Sequence, residues 1–189
     1  CLFLILFSFQ APSWADDIRD FQIEGVSIGD SLLDFFSEDE IKNASKNQYP
    51  NSKKYTVRLF HNLPKFEVYD GIQATYKTND KKYKIYALAG VLWFDTTDNN
   101  IENCYKKKDE IVKEVTEFFK DESIKIEEDN DKHAADESGK STYKSFDFWF
   151  NSGDNMGVIC NDWSEEMEYG DKLSLSIRTK ELMDFIEND

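Results

Sequence analysis

Residues 83–95, YKIYALAGVLWFD, constrain this chain more than any other stretch. The run is apolar at odd and even positions alike, and it is rich in aromatic and β-branched residues. Such a run cannot keep one face in water, so it reads as a strand buried on both faces. The turn-prone KTNDKK (77–82) precedes it, and the alternating FEVYDGIQATYK (66–77) lies before that. Two strand-like runs joined by a short polar loop make a hairpin. The pattern predicts a sheet centred near Ala87 to Trp93.

The first fifteen residues, CLFLILFSFQAPSWA, carry no charge. Their apolar run is too short for a membrane-spanning helix, which needs about 20 residues. They end Ser13-Trp14-Ala15, with small residues at the two positions a signal peptidase reads, and Asp16-Asp17 follows. The expectation is the end of a secretory signal peptide, truncated at its N-terminus, over 1–15. The alternative is an anchor that stays attached. Cys1 precedes the apolar run, which argues against a lipid anchor through its thiol. The mature part, 16–189, is then expected in the periplasm or the medium as a single domain.

The net charge of −15 falls entirely on that mature part. Such acidity disfavours nucleic acid and anionic membranes as partners. Aromatic residues at 15% speak against an open, disordered chain. Cys104 and Cys160 remain after processing, and in an oxidising compartment they are expected to form a disulfide joining a helix to the sheet. The alternative, a catalytic thiol or redox pair, lacks C-x-x-C spacing and a nearby histidine.

Along the mature chain, 21–26 reads as a short strand and SLLDFF (31–36) as a helix capped by Asp30 or Ser31. Ser37 to Glu40 reads as a capping box opening a second short helix. A loop is expected over 47–54, then strands at 55–60 and 66–76 before the central one. The best helix spans 101–120, with Cys104, Ile111, Val112, Val115, Phe118 and Phe119 on one face and Asp109 and Lys113 paired on the other. Residues 121–141 read as an acidic loop. Strands follow at 143–150, after the NSGD turn, and at KLSLSIR (172–178). Thr179 caps a last helix with Leu182, Phe185 and Ile186 inward. The expectation is an α+β fold, a mainly antiparallel sheet with two or three packed helices, and a duplicated helix-plus-three-strand unit.

Gly25-Val26-Ser27-Ile28-Gly29 matches the G-x-S-x-G nucleophile elbow, with only His61 and His133 as bases. The competing reading is a glycine turn into a capped helix. Gly139-Lys140-Ser141 resembles the end of a phosphate loop but precedes a strand, and the cradle needs a helix N-terminus. Asp95, Asp98, Asn99, Asn100 and Glu102, or residues 127–131, offer oxygens to Ca²⁺ without EF-hand spacing. Two distant histidines do not make a zinc site. Trp149 falls opposite Phe146, Phe148 and Phe150 on its strand, and is a binding anchor if that face is open. CNDWSEEMEYGDK (160–172), with Trp163 and Tyr169, is the best recognition loop, held at its start by the disulfide.

The runs IEGVSIGDSLLDFFSEDEIK, YPNSKKY, YDGIQATYKTNDKKYKIYALAGVLWF, NIENCYKKKDEIVKE and CNDWSEEMEYGDKLSLSIRTKE resemble a family of small exported proteins from marine alphaproteobacteria. The resemblance covers nearly all of 16–189. It implies export from a Gram-negative cell, hence the periplasm, and carries over no catalytic residue. The start of the domain is also similar in architecture to small periplasmic domains of the β-lactamase-inhibitor-protein type. The reading that results is an exported, non-catalytic binding or envelope-associated protein with no cofactor. The alternatives are a serine hydrolase using Ser27 and a calcium-dependent binding module.

Overall fold

The run at 83–95 does become an inner strand. The computed structural model describes residues 18–49, 52–61, 64, 66–96, 98–120 and 124–188; the leader-like segment 1–15 lies outside them. Strand β4 (Ile85–Trp93) buries Ile85 and Ala87 through Val91 in succession, as a strand covered on both faces must. It belongs to an eight-stranded antiparallel sheet of order β1-β2-β3-β4-β8-β7-β6-β5. The other strands are β1 (Ser45–Gln48), β2 (Tyr55–His61), β3 (Gly71–Lys77), β5 (Lys125–Lys132), β6 (Thr142–Trp149), β7 (Asn155–Asp162) and β8 (Lys172–Arg178). The helices are α1 (Glu38–Asn43), α2 (Ile101–Phe118) and α3 (Lys180–Asn188). Each of α1 and α2 is thus followed by four strands, where the sequence pattern indicated three.

The difference has two sources. Residues 47–54 were expected as loop, but Ser45–Gln48 pair with Thr56–Leu59. Residues 121–141 were expected as an acidic loop, yet Lys125–Lys132 match Thr142–Trp149 over eight consecutive pairs. All eight β5 residues are exposed, so the strand is held by main-chain pairing together with the Tyr143–Asp129 side-chain bond, and no apolar alternation announces it. The opening of the domain also differs. Ile23 and Val26 exchange a single pair of main-chain bonds around a Glu24–Gly25 turn at positive φ, where a strand was expected. SLLDFF forms only a 3₁₀ turn over Leu32–Asp34, with Ser31 Oγ accepting from Leu33 N at 3.1 Å. The capping box at Ser37 and Glu40 is present in full.

The described residues gather into two compact units. One takes in the described part of Cys1–Gly90, with Ser152–Asn155 and Ser176–Asp189. Its core packs Tyr55, Ala87 and Leu182 beneath Tyr49, Tyr86 and Phe185. Ile186, expected inward, is 40% exposed. The Glu24 carboxylate accepts from the successive N–H groups of Glu67, Val68 and Tyr69 at 2.7 to 3.2 Å. Those amides are therefore not available to a ladder, and β3 starts at Gly71 instead of residue 66.

The other unit takes in Val91–Asn151 and Met156–Leu175. On α2 the buried stripe is Cys104, Lys108, Ile111 and Val115, with Phe119 just beyond, while Phe118 is 47% exposed. Asp109 pairs with Lys108 at 3.0 Å in place of Lys113. Cys104 and Cys160 form the expected disulfide, with Cα atoms 6.1 Å apart, between α2 and β7.

Candidate functional site

The recognition loop expected over 160–172 is the connection from β7 to β8. It leaves Cys160, which is fully buried in its disulfide, and turns once in 3₁₀ form over Glu165–Met167. Glu168 then takes a left-handed conformation (φ 55°), which turns the chain back through Tyr169 and Gly170. Trp163 N donates to Asp171 Oδ1 at 2.7 Å, closing the loop at its neck. Phe94 N donates to Asp171 O at 2.8 Å. Gly170 lies so close to the end of β4 that a Cβ there would sit 3.0 Å from Asp95 Oδ2 and 3.3 Å from the Trp93 ring.

A second clamp holds the same loop from the β5–β6 side. Asp136 is buried, and its Oδ2 accepts from Ser141 Oγ (2.6 Å), Ser141 N (2.9 Å) and Ser164 Oγ (3.0 Å), while its Oδ1 accepts from Ser138 N (2.9 Å). These bonds, those of Ser141 and then Ser138 foremost, hold the Asp136 carboxyl well below the usual carboxylate range. Ser164 N in turn donates to Ser141 Oγ at 3.0 Å. Burial has the opposite effect on Asp171, raising it, with Asp162 and Asp95 adding to the rise.

What the two clamps present is a stack of rings. His133 lies 4.0 Å from Trp163, centroid to centroid, and Trp163 meets Tyr169 edge to face at 5.0 Å. Tyr169 is 60% exposed, the highest fraction of any large hydrophobic side chain described. His133 Nδ1 accepts from Ala135 N at 3.2 Å, which places the ring's proton on Nε2. Burial, and then the Lys172 ammonium, push His133 down, against a smaller lift from Asp136. Lys172 is itself lowered by burial, and its Nζ stands 5.6 Å over the Trp93 ring. The arrangement is a rigid aromatic ledge backed by a neutral imidazole.

Of the three aromatic residues expected to form a recognition surface, two are joined here. Trp149 sits on β6 opposite Lys125, with the buried face of its strand marked by Phe148. Its indole N–H is buried without a partner in full hydrogen-bond geometry, although the Glu127 carboxylate, lowered chiefly by Lys125, is near enough to be lowered slightly by it as well. Sequence reading named His133 only as a candidate base for Ser27 and missed its place beside Trp163. It lay in a stretch read as a loop, and only the β5–β6 pairing and the Asp136 knot carry it to Trp163.

Ser27 is buried, and its hydroxyl is shared between Arg19 O (2.7 Å) and Phe21 O (2.8 Å). Those carbonyls hold the proton but cannot take it, and Ser27 has no histidine partner among the described residues. The hydroxyl ties the G-x-S-x-G turn to the preceding segment. In the calcium-candidate stretch Asn100 caps α2 by accepting from Glu102 N at 3.1 Å, and Asn99 Nδ2 donates to Trp93 O at 2.9 Å. Residues 127–131 lie within β5. Among the described residues no three His, Cys, Asp or Glu side chains converge as metal ligands, and no helix is long and apolar enough to cross a membrane. A shallow depression of about 340 Å³ in the first unit is lined by Lys54, Glu181, Asp184, Phe185 and Asn188. Its carboxylates are already paired, Glu181 with Lys77 at 2.8 Å and Asp184 with Lys180 at 2.5 Å.

No family model matches the chain, and no curated protein or solved structure matches it significantly.

Proposed function

We propose that the protein is an exported, non-catalytic binding module that recognises its ligand with the Trp163–Tyr169 ledge. The observation that carries this reading is the exposure of Tyr169, at 60%, on a loop fastened at both ends. An exposed ring normally costs a solvated surface; one held rigid in advance loses little entropy on binding and serves as an anchor. The buried disulfide and the leader-like segment 1–15 support export to the periplasm or the medium. Ser27, the candidate nucleophile of the alternative reading, gains no support from its two carbonyl partners.

The test is site-directed photocrosslinking with a benzophenone amino acid at position 169, in cells that make the protein. Adducts at 169 that disappear when Trp163 is replaced by Ala, and that do not form from a probe at exposed Leu33, support the ledge. Equal adducts at 169 and 33, or none at 169, refute it.

A further inference from the structure

The last strand in the sheet order is a long edge guarded by charge. β5 is terminal in the strand order, so one side of its main chain has no partner strand among the described residues. Sheet edges are usually kept short, broken by proline or a bulge, or blunted by charged side chains. The opposite edge, β1, is short, with four residues, Ser45–Gln48. β5 is guarded by charge alone. Its eight residues, KIEEDNDK, contain no proline and run without interruption against β6. All are exposed, including Ile126 at 44%. A long regular edge of this kind is a template for an added strand.

Charge decides what can be added. Side chains alternate along a strand, so Glu127, Asp129 and Asp131 share one face. Asp147 on β6 lies directly opposite Glu127, a like-charge pair that costs stability in a sheet. Lys125 relieves Glu127 at 2.5 Å and the Tyr143 hydroxyl donates to Asp129 Oδ2 at 2.5 Å. A second copy of this chain is a poor occupant. Antiparallel pairing of two β5 strands through the same edge matches residues of like parity, so near-centred registers set Glu128 against itself with Glu127 facing Asp129, or Asp129 against itself with Glu127 facing Asp131. Like-charge juxtaposition across an interface selects against that partner.

We propose that the free edge of β5 is a docking site for an extended, lysine- or arginine-bearing strand of a partner protein. The partner continues the sheet through main-chain hydrogen bonds and places its cations opposite Glu127, Asp129 and Asp131. The site is separate from the aromatic ledge and does not depend on it.

The test uses the full chain and three synthetic peptides matched in length to β5. One alternates lysine and threonine, one alternates glutamate and threonine, and one has the lysines of the first with prolines in place of alternate threonines. Amide hydrogen exchange is followed residue by residue. The expected result is slowed exchange within β5 on adding the lysine–threonine peptide alone. The triple variant Glu127→Lys/Asp129→Lys/Asp131→Lys, all at exposed positions, should bind that peptide roughly tenfold more weakly and gain affinity for the glutamate peptide. Equal binding of the proline peptide would reduce the effect to bulk charge attraction and overturn the proposal. Unchanged β5 exchange, or a triple variant that binds as the parent does, would overturn it as well.

Discussion

The Tyr69 ring lies flat against the main chain of Gly90 in the first unit: a Cβ at position 90 would sit 2.6 Å from Tyr69 Cζ. The ring takes the space that any larger residue on β4 would need, and Tyr69 is buried there with its phenol pushed above the ordinary range, mainly by burial. Gly90→Ala is therefore expected to destabilise the protein by about 2 kcal/mol, the usual scale of overpacking. Urea unfolding of Gly90→Ala, Tyr69→Leu and the double variant checks this. The two changes should be less than additive, because the second removes the obstacle met by the first.

The Asp136 knot makes a prediction about acid. Its carboxyl is depressed in the folded protein, so the folded state favours the charged form. The stabilisation is fully present above the ordinary aspartate value of 3.8 and is lost as pH falls below it towards the depressed folded value. Asp136→Asn should be less stable than the parent at neutral pH, with the gap closing as pH falls below about 3.8. Denaturant midpoints of both proteins from pH 7 to pH 2 measure the gap. A gap that stays constant would mean Asp136 is not charged in the knot.

His133 gives the ledge a readable signal. Its pKa is below the ordinary 6.5, so protonation occurs in the folded protein at a lower pH than in the unfolded one. The neutral ring's contribution is present above 6.5 and is lost as pH falls through the folded value. A charged imidazole 4.0 Å from Trp163 and near the Lys172 ammonium, with the Tyr143 ring 6.2 Å away and Asp136 in its own loop, should quench that indole and loosen the stack. Tryptophan fluorescence is expected to fall with a midpoint below 6.5, and His133→Gln should abolish that step.

The disulfide closes a span of 56 residues, worth about 4 kcal/mol in the chain-entropy account. Cys104→Ala/Cys160→Ala should lower stability by an amount of that order, and a reducing agent should have no effect on the double variant while destabilising the parent. Equal stability of parent and variant would show that the unfolded chain is already restrained by other means.

Tyr169→Ala separates recognition from folding. The side chain is largely in water, so its loss should change stability by no more than about 0.5 kcal/mol. Loss of the ligand with an unchanged melting temperature places Tyr169 in recognition; loss of both places it in the fold.

Much of this architecture could be read from residue order, and the parts that could not share one physical cause. β4 was legible because burial on both faces leaves an unbroken apolar run. β8 was legible because Leu173, Leu175 and Ile177 alternate, and α2 because its stripe recurs at helical spacing. The disulfide followed from two cysteines in a chain read as exported. β5 was not legible, since a strand whose side chains are all exposed shows no apolar alternation. Lys108 was passed over because a buried lysine within an apolar stripe looks like the stripe's end. Glu24 shortened β3 from more than forty residues away, and a local pattern cannot show a carboxylate gathering distant amides. The ledge was half legible: Trp163 and Tyr169 stand close in sequence, while His133 reaches them only through tertiary contacts.

The position of β4 next to β8 bears on how the chain folds. β3 lies close enough in sequence to pair with β4 at once, but the other edge of β4 waits for Lys172–Arg178, beyond α2 and β5–β7. Until then β4, the most apolar of the described strands, offers a bare flank to any neighbouring chain. A chain clipped before β8 keeps that flank bare and is expected to aggregate at concentrations the full chain tolerates. Folding yield, more than final stability, should then respond to anything that delays the last strand.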